Sequence, residues 1–195
     1  MRKVLRVAAA SAPVTLSQVK VIGYIKTSER DTELQGFIDS AVIWIEQFTG
    51  RALVTQQWDI FYDEIEFFRP IYIGQPVDLS TLNINSIDSV TAFDVQANET
   101  IIDDTTYRQS SDRIVFDQQT PFNDTRSIDA VKVEVTAGYG ADESEISADI
   151  KTAISVLALH WLENGVYAAD MSLNKVPQVL KSLLMKYKSF NNAIA

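Results

Sequence analysis

Apolar residues recur at helical spacing in one segment near the start of the chain. Between Asp31 and Gly50 they stand three or four positions apart, at Leu34, Phe37, Ile38, Ala41, Ile45 and Phe48. Such a stripe predicts an amphipathic helix, which Asp31 or Thr32 can cap and which Gly50 can end in the left-handed conformation. Ile43 and Trp44 fall outside the stripe. The helix is therefore apolar over more than one face, so it either lies centrally in the core or contributes to a subunit contact.

The residues before this helix predict two smaller elements. Residues 1–13 combine basic residues with a short apolar run, as a secretory signal does, but Arg6 interrupts the run. A short extended segment is the better interpretation. Thr15 and Gln18 have the spacing of a capping box, and apolar residues at helical spacing follow them. They predict a short helix that ends near Tyr24.

From Gln57 onward the hydrophobic period changes to two. Trp58, Ile60 and Tyr62 alternate with more polar positions, as in a half-buried strand. Further strands are predicted at residues 77–79, 90–95, 100–102, 113–116 and 131–135. Turn-rich pieces separate these strands, among them residues 83–88. Because no helical period occurs among them, the strands indicate an antiparallel sheet or a small sandwich.

The stretch from Val131 to Gly165 predicts a strand, a glycine-containing turn and a strongly apolar helix. Gly138 and Gly140 allow backbone conformations that other residues avoid. Ser147 is placed to cap the helix. Its buried stripe is expected at Ile150, Ile154, Leu157, Ala158, Trp161 and Leu162. We expect this helix to be the core helix of the fold.

A last helix is predicted from Pro177, a residue suited to a first helical turn. Its inward positions are expected at Leu180, Leu183, Leu184 and Tyr187, and its outward positions at Lys181, Lys186 and Lys188. About four helices, in residues 15–50 and 147–190, thus flank a β-rich insertion at about residues 56–138. The predicted class is α+β, a helical core with an inserted antiparallel sheet or small sandwich, in a single domain of residues 1–195.

Charge is distributed unevenly along the chain, whose formal net charge is −9. Residues 1–28 hold five basic residues and no acid, and residues 171–195 hold four basic residues and no acid. The middle therefore carries all 26 acids with 8 basic residues, a net charge of −18. Basic ends indicate a negatively charged neighbour, although solvated terminal lysines give the same pattern.

The absence of some residue types excludes several kinds of site. The chain has no cysteine, so it has no disulfide, thiolate zinc site or cysteine nucleophile. No apolar run reaches the roughly 20 residues that span a bilayer, so no membrane is expected. The few cations are not interleaved with aromatic residues in a recognisable nucleic-acid-binding module.

No sequence pattern points to catalysis, a cofactor or a metal, and we expect no enzyme. The single histidine, His160, has no nucleophile or second ligand near it in sequence, so we interpret it as a partly buried helix residue. The acidic groups at residues 103–104 and 142–145 lack the spacing of an EF-hand and are expected to be solvated loops. Residues 138–140, Gly-Tyr-Gly, lack the third glycine of a dinucleotide fingerprint and the Gly-Lys-Ser/Thr of a P-loop, so they predict a turn. A carboxylate pair of a hydrolase need not be adjacent in sequence, but nothing favours one.

Three segments together resemble the head-to-tail connector, or adaptor, proteins of tailed bacteriophages. They are residues 12–20, APVTLSQVK; residues 48–58, FTGRALVTQQW; and residues 133–164, in which VEVTAGYG precedes an acidic loop, IKTAI and HWLEN. Their order and spacing cover roughly residues 12–165. The region from 65 to 129 matches only in being rich in strands.

The resemblance implies a structural protein of the virion neck, made in the host cytoplasm and without catalysis. Members of that family form a ring, commonly of twelve copies, beneath the portal, and they join the portal to the next neck or tail component. The implied partners are other copies of the chain, the portal protein and a tail-side neck or tail-terminator protein. DNA passes through the ring without sequence-specific binding. The alternative is a non-enzymatic β-rich module that binds a ligand or a host surface.

Two groups of residues are hypothesised to make these contacts. The cationic last helix would dock on the portal through Lys181, Lys186 and Lys188. Deletion of residues 176–195 is then expected to abolish portal binding and to leave the domain folded. The apolar positions outside the main stripe, Ile43 and Trp44, would contact the next subunit.

Overall fold

The computed structural model describes residues 1–63, 76–79, 82–110, 113–116, 125–164 and 176–188. The helices in this part of the chain are α1 Leu16–Ile22, α2 Asp31–Thr49, α3 Ala148–Asn164 and α4 Gln178–Leu184. The strands are β1 Arg2–Val7, β2 Gln56–Tyr62, β3 Pro76–Asp78, β4 Ile84–Phe93, β5 Glu99–Ile101, β6 Tyr107–Ser110, β7 Arg113–Phe116 and β8 Val131–Ala137. These elements confirm the predicted α+β class.

The chain forms two compact units. The first consists of residues 1–9 and 55–138, and the second of residues 10–54 and 139–195. The predicted β-rich insertion at about 56–138 thus corresponds to the long segment of the first unit, which we call the sheet unit. The second is the helical unit. Whether the chain unfolds as the single domain predicted from its length stays a prediction.

In the described part of the sheet unit, the strands form two antiparallel sheets. Five strands follow the order β1-β2-β8-β4-β5, and three follow the order β3-β7-β6. Strand β8 lies at the centre of the larger sheet, and its side chains alternate between buried and half-buried along its whole length. Val131, Val133 and Val135 have no exposed surface. Burying each of these side chains contributes on the order of 1.5–3 kcal/mol, which explains why the alternation visible in the sequence places this strand inside.

Strand β4 corrects one prediction. It begins at Ile84, so the turn predicted at residues 83–88 is wrong; only Asn83, with φ of 63°, has the left-handed backbone expected there. The pairing register of β4 on β8 shifts between Ile84 and Ser86 and again between Ile87 and Ser89. The polar residues that suggested a turn lie on the solvent side of a bulged strand.

The opening segment also takes a role that its sequence does not specify. Residues 2–7, predicted only to be extended, form the edge strand β1, which pairs with β2. Strand β6 was not predicted at all, because its residues Tyr107–Ser110 are mostly exposed and polar and show no alternation.

The helical unit begins with the predicted capping box. The Thr15 side chain accepts from the backbone N–H of Gln18, and the Gln18 side chain accepts from the backbone N–H of Thr15. Helix α2 ends, as predicted, at Gly50, whose φ is 72° and whose N–H donates to the carbonyl of Glu46. The buried residues of α2 in its predicted stripe are Leu34, Ile38, Ala41 and Ile45.

Helix α3 is the core helix of this unit and packs against α2. Of the predicted stripe, Ile150, Ile154, Leu157 and Ala158 have no exposed surface, while Trp161 is half-buried. Ala153, which the stripe did not include, is also fully buried. The predicted end at Gly165 lies outside the described residues. Helix α4 follows Pro177, buries Leu180 and Leu184, and continues as a 3₁₀ turn at Met185–Tyr187. None of the helices in the described ranges is long and apolar enough to cross a membrane.

Candidate interaction surfaces

The histidine makes a local contact on α3. Its Nδ1 lies 3.0 Å from the side-chain amide nitrogen of Asn164, one turn along the helix. An unprotonated Nδ1 can accept from this amide, so the half-buried His160 is satisfied as a helix residue, as predicted. Within the ranges that the structure covers, no group of three His, Cys, Asp or Glu residues is arranged to hold a metal ion.

The aspartates of the two acidic loops accept hydrogen bonds from residues two positions later in the same turn. Asp103 accepts hydrogen bonds from the backbone N–H of Thr105 at 2.9 Å and from its hydroxyl at 2.7 Å. Asp142 accepts from the backbone N–H of Ser144 at 2.7 Å. The two bonds from Thr105 favour the ionised Asp103 and lower its pKa. The pKa of Asp142 is lowered first by a hydrogen bond with the Ser144 side chain and then by this backbone N–H. Glu143 was predicted to be solvated, but it is half-buried. Its carboxylate accepts a hydrogen bond from Nε2 of Gln18, on α1, at 3.0 Å.

Both glycines of the Gly-Tyr-Gly turn have a structural reason. Gly138 has φ of 142°, which only glycine adopts readily. At Gly140 the reason is space, since an added Cβ would lie 2.5 Å from the Cβ of Glu145. The backbone N–H of Tyr139 donates to the carbonyl of Leu53 at 3.0 Å. The segment is therefore a packed turn, in agreement with the prediction.

Helix α2 presents an apolar surface to solvent at one of the two predicted contact residues. Ile43 is 55 % exposed. Trp44 is half-buried and stacks on Phe48, with ring centroids 5.0 Å apart and planes 12° apart. Because Ile43 is exposed, α2 is not enclosed on all sides within a single chain, and the subunit contact at Ile43 and Trp44 stays a prediction. We call Ile43 and Trp44 the α2 patch.

Two of the three lysines predicted to contact the portal make contacts inside the helical unit. Lys186 forms an ion pair with Asp149, which raises the pKa of Lys186 and lowers that of Asp149. The ammonium of Lys188 lies 5.2 Å from the centroid of the Phe48 ring. Lys181 is half-buried, and it takes part in no ion pair with the described residues.

Tyr187 anchors the end of the chain's last described segment. Its hydroxyl lies 2.7 Å from the hydroxyl of Ser147, and its carbonyl accepts from Nε of Arg51 at 2.7 Å. Ser147 directly precedes α3, as predicted, but its hydroxyl is used for this contact. The partners are 40 and 136 residues away in sequence, so no local pattern could reveal this anchor.

The basic N-terminal residues pair with acids of the sheet unit. The Arg6 guanidinium lies 3.3 Å from Asp59, 3.4 Å from Asp88 and 3.1 Å from Glu134. Glu134 also accepts from the ammonium of Lys132, and this hydrogen bond, with the nearby Arg6 charge, lowers the pKa of Glu134. Part of the basic charge at the start of the chain is thus balanced by acids on strands β2, β4 and β8 of the same sheet.

An acidic excess nevertheless remains on the sheet unit. Residues 1–9 and 55–138 contain 8 basic and 15 acidic residues, a net charge of −7, which leaves −2 for the helical unit. The three basic residues of β1 reduce this excess without removing it. Any partner of the sheet unit therefore meets a negative field.

Comparison with solved structures shows the fold in a particle neck. A chain from the neck of an empty GTA particle, computed with C6 symmetry, aligns with a TM-score of 0.76 at 18% identity and covers 97% of this chain and 96% of that chain. A chain from the neck of the native GTA particle, computed with C12 symmetry, gives a TM-score of 0.70 at 19% identity with the same coverage. A chain from the virion of the native gene transfer agent gives 0.70 at 17% identity. At such identities the likeness concerns the fold.

The sequence itself supplies the family. No curated protein matches it. Residues 13–189, however, match the family model described as head completion protein. That match includes most of both units, with all four helices and every strand except β1. The chain belongs to the head completion protein family.

Proposed function

We propose that this chain is a non-enzymatic structural protein of a virion neck, where its copies form a ring between the portal and the tail-side components. The observation that carries this proposal is the alignment of 97% of the chain with a chain of a particle neck. Nearly the whole molecule is therefore accounted for by a fold that occurs in a neck. Membership of the head completion protein family supports the same role.

A ring requires two different surfaces on each copy, because a cyclic assembly is built from head-to-tail contacts. The similar chains come from necks computed with C6 and C12 symmetry, and we propose twelve copies for this chain. The α2 patch supplies one candidate contact, since Ile43 leaves more than half of its surface exposed. An exposed aliphatic residue next to a stacked aromatic pair is typical of the centre of an interface.

For the portal contact we propose the outer surface of α4. Lys181 is its first candidate, because Lys186 and Lys188 already contact groups of the helical unit. Deletion of residues 176–195 is a poor test, since it would remove Val176, Leu180 and Leu184 from the core. A charge reversal at Lys181 removes the cation and keeps the helix.

The net charge of −7 on the sheet unit fits a protein that lets DNA pass. Cationic surfaces bind DNA by releasing counterions, so an acidic surface avoids retaining the duplex. We propose that DNA passes through the ring without sequence-specific binding.

Negative-stain imaging of the purified chain, alone and with the portal protein, tests the ring. We expect rings with twelve-fold symmetry, at least when the portal is present. Ile43→Asp should prevent their formation, whereas Val21→Asp, a control at a residue 75% exposed on α1, should not. A chain that remains monomeric with and without the portal would refute the proposal.

Portal binding is tested separately by pull-down at low salt. Lys181→Glu should weaken binding, and Lys26→Glu, the same charge change at an exposed residue after α1, should leave it unchanged. Equal binding by both variants would show that α4 does not face the portal through Lys181.

A further inference from the structure

We infer that the five-stranded sheet continues from one copy to the next in the ring, through addition of the β1 edge of one copy to the β5 edge of its neighbour. The inference rests on the proposed function, since it names the contact that closes the ring. It concerns the sheet unit and is independent of the α2 patch.

Strand β1 is an exposed edge. It is the outermost strand on its side of the larger sheet, and five of its six residues are exposed. Val4, Leu5 and Val7 expose 39%, 45% and 49% of their surfaces. An edge of this length, with apolar side chains and with no second described strand paired to it, is a template for a further strand.

The charges that would normally protect such an edge are drawn onto the sheet. The Arg2 guanidinium lies 2.7 Å from Asp129 and 4.1 Å from the centroid of the Phe61 ring. The Arg6 guanidinium contacts Asp59 on β2 and Glu134 on β8. Lys3 is half-buried, and this burial lowers its pKa. The Arg2 and Arg6 guanidinium groups are therefore held by acids of their own sheet rather than left unpaired along the edge.

The opposite edge of the same sheet is also open. All three residues of β5 are exposed, and Ile101 exposes 74% of its surface. Val95, in the turn before β5, exposes 61%. Both edges of one sheet thus combine apolar side chains with solvent-exposed strands.

A second copy of the chain is the occupant that fits both edges. The edges are different surfaces, so their pairing is head-to-tail, as a cyclic ring requires. Residues 1–9 hold three basic residues and no acid, while residues 94–104 hold four acids and no basic residue. Like charges along the acidic β5 segment disfavour pairing of β5 with β5, whereas β1 brings no acid of its own to that edge.

Strand directions fix how the edges meet. Each neighbouring pair in the order β1-β2-β8-β4-β5 is antiparallel, so the first and fifth strands run the same way. A rotation about the ring axis keeps both the direction and the face of the sheet. The β1 of the next copy therefore adds to β5 in parallel, with the same face toward the ring axis.

The register identifies which side chains share a face. Val4 pairs with Asp59, which pairs with Glu134, and Glu134 pairs with Ser89 on β4. Ile101 pairs with Thr91, two residues from Ser89 and so on the same face. Val4 and Ile101 thus share one face of the sheet, whereas Leu5 points to the other.

The absence of cysteine allows a clean crosslinking test. Val4 lies level with Ser89 and Ile101 with Thr91, two residues further along, so rings of the variant Val4→Cys/Ile101→Cys, formed alone or with the portal protein, are treated with a short bis-maleimide crosslinker and run on a denaturing gel. We expect a ladder of crosslinked species that extends to the full ring. The matched control, Leu5→Cys/Ile101→Cys, places the two thiols on opposite faces and should give almost no ladder.

Four results separate the possibilities. Rings of the Val4→Cys/Ile101→Cys variant that yield only monomers overturn the inference and leave the proposed ring intact. Crosslinked dimers from Val4→Cys alone also overturn it, because they show β1 pairing with β1. As a second variant, Ile101→Lys places a charge on the β5 edge and should keep the chain folded, judged by circular dichroism, but unable to form rings. Normal rings from that folded variant contradict the inference, whereas a wild-type chain without rings refutes the proposed function itself.

Discussion

Replacing Gly140 by alanine tests why the Gly-Tyr-Gly turn needs its second glycine. An alanine Cβ at this position would overlap the Glu145 carboxylate and lie 2.5 Å from the Glu145 Cβ. The carboxylate can rotate away, because it is the end of a flexible side chain. The Cβ cannot, because it is attached to the backbone of the 3₁₀ turn Glu143–Glu145.

The backbone of this loop must therefore shift to admit one methyl group. Overpacking of this kind typically costs about 1–3 kcal/mol. With a denaturant slope of about 1–3 kcal/mol per molar urea, the unfolding midpoint of Gly140→Ala should fall by about 1 M. Urea unfolding followed by circular dichroism and by tryptophan fluorescence measures this shift.

A double-mutant cycle shows whether the Glu145 side chain is the cause. Glu145→Ala removes the carboxylate but keeps the Cβ, whereas Glu145→Gly removes both. In the Gly140→Ala background, Glu145→Gly should restore more stability than Glu145→Ala, with a coupling energy on the order of 1 kcal/mol. An unchanged midpoint for Gly140→Ala, or an equal loss in the Glu145→Gly background, would refute the steric reasoning.

Three further predictions concern the last helix and the charged contacts. Leu184→Ala removes a side chain with no exposed surface and should lower the free energy of unfolding by about 2–5 kcal/mol. Met185→Ala, at a residue 44% exposed, should lower it by less than about 1 kcal/mol. Equal losses in urea unfolding would contradict the packing of α4 through Leu184. Basic neighbours hold the pKa of Glu134 below its ordinary value of 4.5, so its contribution to stability is present above that pH and is lost as the pH falls through the lower folded-state pKa. Glu134→Gln should therefore melt below the wild type at neutral pH, and the difference should shrink in acid; a constant difference would argue against the ion pairs. Lys186→Gln should raise the pKa of Asp149 toward 3.8 in an NMR titration, and an unchanged pKa would show that the pair does not form in solution.

The candidate contact residues differ in whether their neighbours in the sequence are enough to identify them. Ile43 was found from its position outside the apolar stripe of one helix, and it is indeed exposed. The three lysines near the last helix cannot be told apart in the sequence, but their surroundings differ. Lys186 forms an ion pair with Asp149, Lys188 lies near the Phe48 ring, and Lys181 forms no ion pair with the described residues. Sequence reasoning could not separate them, because their partners lie on distant segments.

Basic residues at the start of the chain show the same limit. The sequence indicated a negative neighbour for them, and the structure places Arg6 against three acids of its own sheet. The neighbour expected from another molecule is supplied in part by residues more than 50 positions along the chain. The composition gives the number and sign of such charges, but it does not show which of them form ion pairs.

By itself, the sequence determined the helices and the central strand. Capping at Thr15, the glycine stop at Gly50 and the alternation of Val131–Ala137 are local patterns, and each depends on backbone sterics and on which face is buried. Only the tertiary structure decided that residues 2–7 become an edge strand of the inserted sheet, because strand pairing is a contact between segments far apart in sequence. The same holds for the start of β4 at Ile84, where the polar residues of the sequence predict a turn. Exposed residues are free to be polar, so only the pairing partner shows that they belong to a strand.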